Sequence, residues 1–415
     1  MVPNEWIEDS IRSAALLITK GATPTTYGYD FVERSDASIR FVGAYNCSFD
    51  GYFKSDSEKW ISIEADQMLK RSRLSLGDSI ICIVGNTIGS SFLVDESVLP
   101  ANINQNVAVI RPDGNVLNSV YLHFWIMSPY IQWQVLQEAS TQAQPSLSLK
   151  QVGEFKILLP PLPEQKKIAQ ILSTWDKAII TTEQLLANSQ QQKKALMQQL
   201  LTGKKRLLDK NGVRFSGEWR VSKLSKLFER VTTKNNGQSI NVVTISGQHG
   251  LIRQEEFFKK AVASETLDGY FLLRQGQFAY NKSYSNGYPM GAIKRLNRYP
   301  DGVVTTLYIC FELSDSGRAD SDFWEHYFES GLLNKGLSQI AHEGGRAHGL
   351  LNVKPSDFFS LKVSTPSFEE QQKIAAVLST ADQEISALQQ KLDALKQEKK
   401  ALMQQLLTGK RRVLV

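Results

Sequence analysis

The sequence is poor in the residues that build small cross-linked folds or membrane spans. Its 415 residues hold three cysteines, Cys47, Cys82 and Cys310, with no C-x-x-C spacing, so neither a disulfide framework nor a zinc pattern is indicated. A reducing cytoplasm is the expected compartment. No apolar run approaches the roughly 20 residues a bilayer demands: "SIICIVG" at Ser79–Gly85 is far too short, and "MVPNEWIEDS" carries acids where a secretory leader needs bases. A soluble chain with no membrane contact is expected. Phosphate-cradling loops are missing too, since the glycine-rich "HEGGRAHG" at 342–349 fits neither G-x-G-x-x-G nor G-x-x-x-x-G-K-[ST]. Its two histidines lie six apart without a carboxylate or cysteine pattern, and no metal site is expected. "EQK" at Glu164–Lys166 is half of a metal-nuclease signature, but a second copy of the segment has Gln372 in place of the lysine. "PPLP" at Pro160–Pro163 lacks the flanking Asn or Asp and the aromatic that would hold a flipped base. No catalytic residue is assigned, and the chain reads as a non-enzyme.

What is present is a duplication. "KKALMQQLLTGK" occurs at Lys193–Lys204 and, letter for letter, 206 residues later at Lys399–Lys410. "EQKKIAQILSTWD" from Glu164 aligns with "EQQKIAAVLSTAD" from Glu370 at the same offset. Two copies so far apart are a duplicated domain-plus-helix unit, not a solenoid. Apolar residues alternate at spacings of four and three, as in a coiled-coil seam. In the first copy the rungs include Ile168, Leu172, Ile179, Leu186, Lys193, Leu196 and Leu200. In the second they include Ile374, Leu378, Ile385, Leu388, Leu392, Leu395, Lys399, Leu402 and Leu406. The lysine on one shared rung points to the seam's edge, facing a partner. Pro163 suits a helix start, Ser367 with Glu370 forms an S-x-x-E capping box, and Gly203 and Gly409 suit the C′ position. Each helix would extend about 57 Å.

The expected organisation is a first domain at 1–159, a helix at 160–204, a linker at 205–213, a second domain at 214–365, a helix at 366–410 and a tail at 411–415. Both domains open with "EW", at Glu5-Trp6 and Glu218-Trp219. Both mix short strands, as in Ser79–Val94 and Gly302–Leu313, with helical patches, as in Val120–Gln137 and Ser321–Ile340. The fold class is α+β, with two mixed domains and two long helices. Net charge is +6, but Lys and Arg number 12 against 17 Asp and Glu in the first domain, and 19 against 15 in the second. The surplus is mild enough to permit a polyanion partner without requiring one.

The order of variable domain, "LPPLPEQKKIAQIL", long helix ending "QQLLTGKKRL", second domain, and second helix ending "QQLLTGKRRV" resembles the specificity subunit of Type I restriction-modification enzymes over essentially the whole chain. "LSLGDSIICIVGNTIG" at Leu74–Gly89 and "SLSLKQVGEFKILLPPLPEQ" at Ser146–Gln165 are similar to that family's first target-recognition domain and its exit. The resemblance implies two target-recognition domains held apart by an antiparallel coiled coil, in a pseudo-twofold repeat, each reading one half of a split double-stranded DNA target. It also implies two methyltransferase subunits as partners, with S-adenosylmethionine bound on them and no cofactor on this chain, and a motor-nuclease subunit in systems that restrict. Two other readings stay open. One is the specificity chain of a system with fused methyltransferase and nuclease; the other is a coiled-coil scaffold that does not bind duplex DNA.

Phosphate contact needs Lys or Arg, and base reading adds Asn, Gln and other polar side chains on elements that reach a groove. The candidates in the first domain are Lys54, Lys70, Arg71, Arg73, Asn86 and Gln144. In the second they are Lys234, Asn235, Asn236, Asn281, Lys282, Tyr284, Lys294, Arg295 and Arg346.

Overall fold

The computed structural model describes residues 3–139, 144–247, 249–257, 266–341 and 351–414. The chain divides into two compact units, Met1–Glu183 with Lys391–Val415, and Gln184–Gln390. This grouping cuts across a domain-then-helix partition. The first long helix, Leu162–Leu200, and the second, Phe368–Leu407, each contribute a segment to both units.

In the first unit the entry strand Ile7–Ser10 pairs antiparallel with the exit strand Lys156–Leu159, so the domain's chain leaves beside where it came in. Between them, the strands Ala15–Lys20, Val107–Pro112, Ser79–Cys82 and Ser91–Leu93 form, in that order, an antiparallel four-stranded sheet. A smaller sheet joins Trp60–Ser62, Ser38–Val42 and Ala101–Ile103. The helical patch at Val120–Gln137 is two helices, Ser119–Met127 and Pro129–Glu138. They break at Ser128, whose hydroxyl accepts from the Ile131 N–H as the second helix's N-cap. Residues 121–126 of the former are all buried, as expected of a helix apolar on every side. Its Phe124 and Trp125 share a core with Trp6, Phe155, Ile168, Leu172, Met403 and Leu406.

The second unit repeats this frame with a different sequence. Arg220–Lys223 pairs with Lys362–Thr365 as entry and exit strands. Phe228–Val231, Ile309–Leu313, Phe278–Asn281 and Ala292–Arg295 form a sheet of the same order and sense. Its core gathers Phe228, Phe278, Phe311, Trp324 and Phe358 with Ile374, Leu378, Met197 and Leu200. The helix Ser321–Glu329 packs on this sheet, with its N-terminus capped by Asp320.

Of the seam rungs, Ile168, Leu172, Ile179, Leu186, Leu200, Ile374, Leu378, Leu392 and Leu406 are buried. Leu196, Ile385, Leu388, Leu395 and Leu402 are half-buried. Near the helix ends burial moves to positions the four-three ladder omits, Met197 and Leu201 in one copy and Met403 and Leu407 in the other. There the helices enter a domain core, so a broader face than a two-helix seam is covered.

Candidate nucleic-acid interface

The duplicated segments do their visible work inside each unit, where a stretch of one long helix runs antiparallel to a stretch of the other. In the first unit Lys399 is ion-paired with Asp176, and Arg412 forks onto Glu164 at 2.7 and 2.9 Å. In the second, Lys193 is paired with Asp382, and Arg206 forks onto Glu370 at 2.6 and 2.7 Å. Every member of the first set lies 206 residues from its counterpart in the second. The acid always comes from the start of one repeat and the base from the end of the other. This corrects the reading of Lys193 and Lys399 as residues facing a partner, because each lysine side chain is only 12–16% exposed and its ammonium holds an intramolecular carboxylate.

The "EW" pair belongs to the same construction. The Trp6 indole N–H donates to Glu164 at 3.1 Å, and the Arg412 guanidinium lies 5.7 Å above the ring. Arg206 lies 5.9 Å above Trp219 in the same manner. Gly203 and Gly409, at φ +70° and +69°, end the helices in the left-handed conformation. A Cβ at Gly409 would come within 2.4 Å of Pro3 and 3.3 Å of Trp6, so this glycine also makes room for the ring. The glutamine after each acid is a fastener. Gln165 accepts the Asn118 N–H at 2.9 Å, and Gln371 accepts the Asp320 N–H at 3.0 Å. Lys166 and Gln372 differ between copies because both point into solvent. The Glu370 backbone N–H donates to the Ser367 hydroxyl oxygen at 3.4 Å, but its carboxylate goes to Arg206 and does not close the capping box. Neither arginine is a seam residue; the signal for both was the doubled "GKKR" and "GKRR".

The DNA-contact candidates separate on geometry. Lys54, Lys70, Arg71, Asn86, Gln144, Asn236 and Tyr284 are exposed. Lys234 is exposed but donates to the Gly269 carbonyl at 2.7 Å and lies over Phe271. Arg73 is half-exposed and paired with Asp66 at 2.6 Å. Asn281 is partly buried and accepts from the Ser283 N–H, and Lys282 is half-buried beside it. Three candidates are corrected. Lys294 is buried, paired with Glu329 and bonded to Gly247 and Tyr288, and Arg295 holds Asp322 and Glu325. Asn235 is buried and closes its own turn through Ser239. Strand alternation could not show this, because the carboxylates that take up these cations lie on the helix Ser321–Glu329. Arg346, with His342 and His348, lies outside the described residues.

Burial, then the nearby Lys399 ammonium, push the His123 imidazole down to about 4. His326, facing Ser379 and Asp382, is lowered by burial and Lys193. Among the described residues no group of three or more His, Cys, Asp or Glu could hold a metal, and no helix is long and apolar enough to cross a membrane.

Two copies of one frame, each with its own sheet and each clasped by reciprocal ion pairs between repeats, define a class of duplicated, two-unit proteins whose surfaces differ while their scaffold is shared. Residues 48–189 match the family model described as Type I restriction modification DNA specificity domain. A stretch of 173 residues is 28% identical to the Type I restriction enzyme EcoBI specificity subunit of Escherichia coli, covering 41% of this chain and 35% of that one. The chain thus spans about a third of that relative's length. Over 326 residues it is 26% identical to the putative type I restriction enzyme MjaX specificity subunit of Methanocaldococcus jannaschii, covering 74% and 72%. The fold is that of the Type-I restriction-modification system S subunit from M. genitalium, with a TM-score of 0.59 at 14% identity and 98% of both chains covered. Over these stretches the chain is similar to the specificity subunits of Type I restriction-modification systems.

Proposed function

We propose that this chain is the non-catalytic subunit that reads a bipartite double-stranded DNA target and docks two methyltransferase subunits, which bind S-adenosylmethionine and methylate adenine at N6. A motor-nuclease subunit joins the assembly where the system restricts, and the complex works in the cytoplasm. The observation that carries the reading is the repetition of one sheet order in two domains whose surface residues differ. A shared scaffold with unlike surfaces suits two readers of unlike half-sites. The contacts are assigned to Lys54, Lys70, Arg71, Asn86 and Gln144 in the first domain, and to Lys234, Asn236, Asn281 and Tyr284 in the second, with the exposed faces of the long helices left for the partners.

Mapping methylated adenines across a genome, with and without this chain, tests the reading. A split motif that vanishes with the chain is expected, and an unchanged methylation map would refute it. The acid excess of the first domain gives a second expectation. The chain alone binds duplex weakly, and adding the methyltransferase produces tighter binding that falls steeply with salt. Equal affinity with and without the partner would count against the proposed division of labour. Inserting one helical turn at matched points of both long helices is expected to change the tolerated spacer and leave each half-sequence as it was.

A further inference from the structure

The entry and exit strands of each unit form a two-stranded antiparallel ribbon, and their registers align the two ribbons residue by residue. In the first, Ser10 lies opposite Lys156 and Glu8 opposite Leu158. In the second, Lys223 lies opposite Lys362 and Val221 opposite Ser364. Trp6 and Trp219 immediately precede the two entry strands, so the correspondence holds position for position. Residues opposite one another, and those two further along, share a face of such a ribbon. The other face is turned inward, since Ile157 in the first unit and Val363 in the second are each 2% exposed or less and belong to their unit's core. On the outer face of the second ribbon Lys223, Lys362 and Val221 are exposed and Ser364 is half-exposed.

Directly opposite residues of an antiparallel pair hold their Cβ atoms about 4.5–5.5 Å apart. Register alone therefore brings the Lys223 and Lys362 ammonium groups, on flexible four-carbon stems, within reach of one small anion. The Ser364 hydroxyl stands on the same face, two residues from Lys362. Like charges set opposite one another weaken a ribbon, and an anion between them relieves the repulsion. Neither lysine has a carboxylate partner among the described residues, and the Ser364 hydroxyl has no hydrogen-bond partner there. Other cations of this unit are treated differently: Arg206, Arg274, Lys294 and Arg295 each hold an acid. The first ribbon has no such donor set. Its Ser10 hydroxyl accepts the Ser13 N–H and caps the turn that follows, Leu158 stands in place of the serine, and Glu8 puts a carboxylate on the face that carries Lys156. An oxyanion suits the second ribbon and is repelled by the first.

We propose that Lys223, Lys362 and Ser364 together hold one backbone phosphate of duplex DNA, a contact made by the second unit and without a counterpart on the corresponding face of the first. This rests on the DNA-reading assignment above and adds to it a residue-level asymmetry between the two readers. The test uses the full chain with the methyltransferase subunits it copurifies with, and a pool of random-sequence duplexes. The salt dependence of binding, the enriched motif and the subunit content of the complex are read out. Lys223→Gln/Lys362→Gln is expected to flatten the slope of log affinity against log salt by about one and to weaken binding several-fold, with motif and subunit content unaltered. Lys223→Arg/Lys362→Arg is expected to retain the slope. Lys223→Ser, which places the first ribbon's residue in the second, removes the cross-strand repulsion. It is expected to weaken DNA binding without lowering the melting temperature, a combination that damage to the fold does not produce. If the wild-type complex enriches a split motif but the glutamine variant keeps its salt slope, the phosphate site is overturned and the DNA reading stands. Loss of methyltransferase from that variant's complex would make this face a protein contact and overturn the site equally. If the wild-type complex binds no duplex, both fall.

Discussion

Glu370→Leu is expected to destabilise the Gln184–Gln390 unit by about 2–3 kcal/mol, whereas the double variant Arg206→Leu/Glu370→Leu recovers most of that loss. The Glu370 carboxylate is 1% exposed and receives both prongs of Arg206. Removing one partner of a buried pair costs about 3–5 kcal/mol, because the other charge is left without compensation. The lower figure applies here because the Arg206 side chain is 20% exposed and keeps some access to water. Arg206 also donates to the Gly217 carbonyl at 2.9 Å, which the double variant gives up. Hydrogen exchange of amides in this unit, with denaturant titration of the full chain, provides the measurement. A double variant as unstable as Glu370→Leu would mean that packing over Trp219, and not the charge pair, holds the clasp. The first unit should respond to Glu164→Leu with an added loss, since that carboxylate also accepts the Trp6 indole N–H, whereas the Trp219 indole N–H has no partner among the described residues.

The helices were legible because their signals are local: a four-three apolar ladder, a glycine stop, and a constant 206-residue offset. The reason for the repetition was harder to read. Asp176 and Lys399 are 223 residues apart, and only the antiparallel run of the two segments brings them together. A ladder written on one helix says nothing about which rung of the other it meets. The "EW" doublets were visible as edges, but their pairing with "GKKR" and "GKRR" required the entry and exit strands to close each domain first. In the two mixed domains, composition located the cations but could not separate Lys282, without an acid partner among the described residues, from Lys294, paired with Glu329. Both lie in the segment from Asn281 to Arg295, and the difference is made by a helix some 30 residues downstream.

Acidification is expected to loosen the first unit through His123, and His123→Leu is expected to blunt that response. The imidazole sits on the buried helix Ser119–Met127 against the Gly51 backbone, and its Nδ1 has no hydrogen-bond partner among the described residues. Burial lowers its folded-state value to about 4 from 6.5, with Lys399 adding to the effect and the Gly51 backbone opposing it. Between these values the unfolded chain binds the proton and the folded one does not. The group's stabilising contribution is therefore whole above pH 6.5 and is lost progressively as pH falls toward 4. At 1.36 kcal/mol per pH unit the loss is about 3 kcal/mol. Carboxylates elsewhere in the unit also respond to acid, but equally in wild type and variant, so the difference between their stability profiles isolates the histidine. Superimposable profiles from pH 7 to 4 would show that His123 reaches water before it titrates. His326 in the second unit is also lowered by burial, but Asp382 and Asp322 pull it the other way. A His326→Leu variant should therefore shift its own unit's profile less than His123→Leu shifts the first.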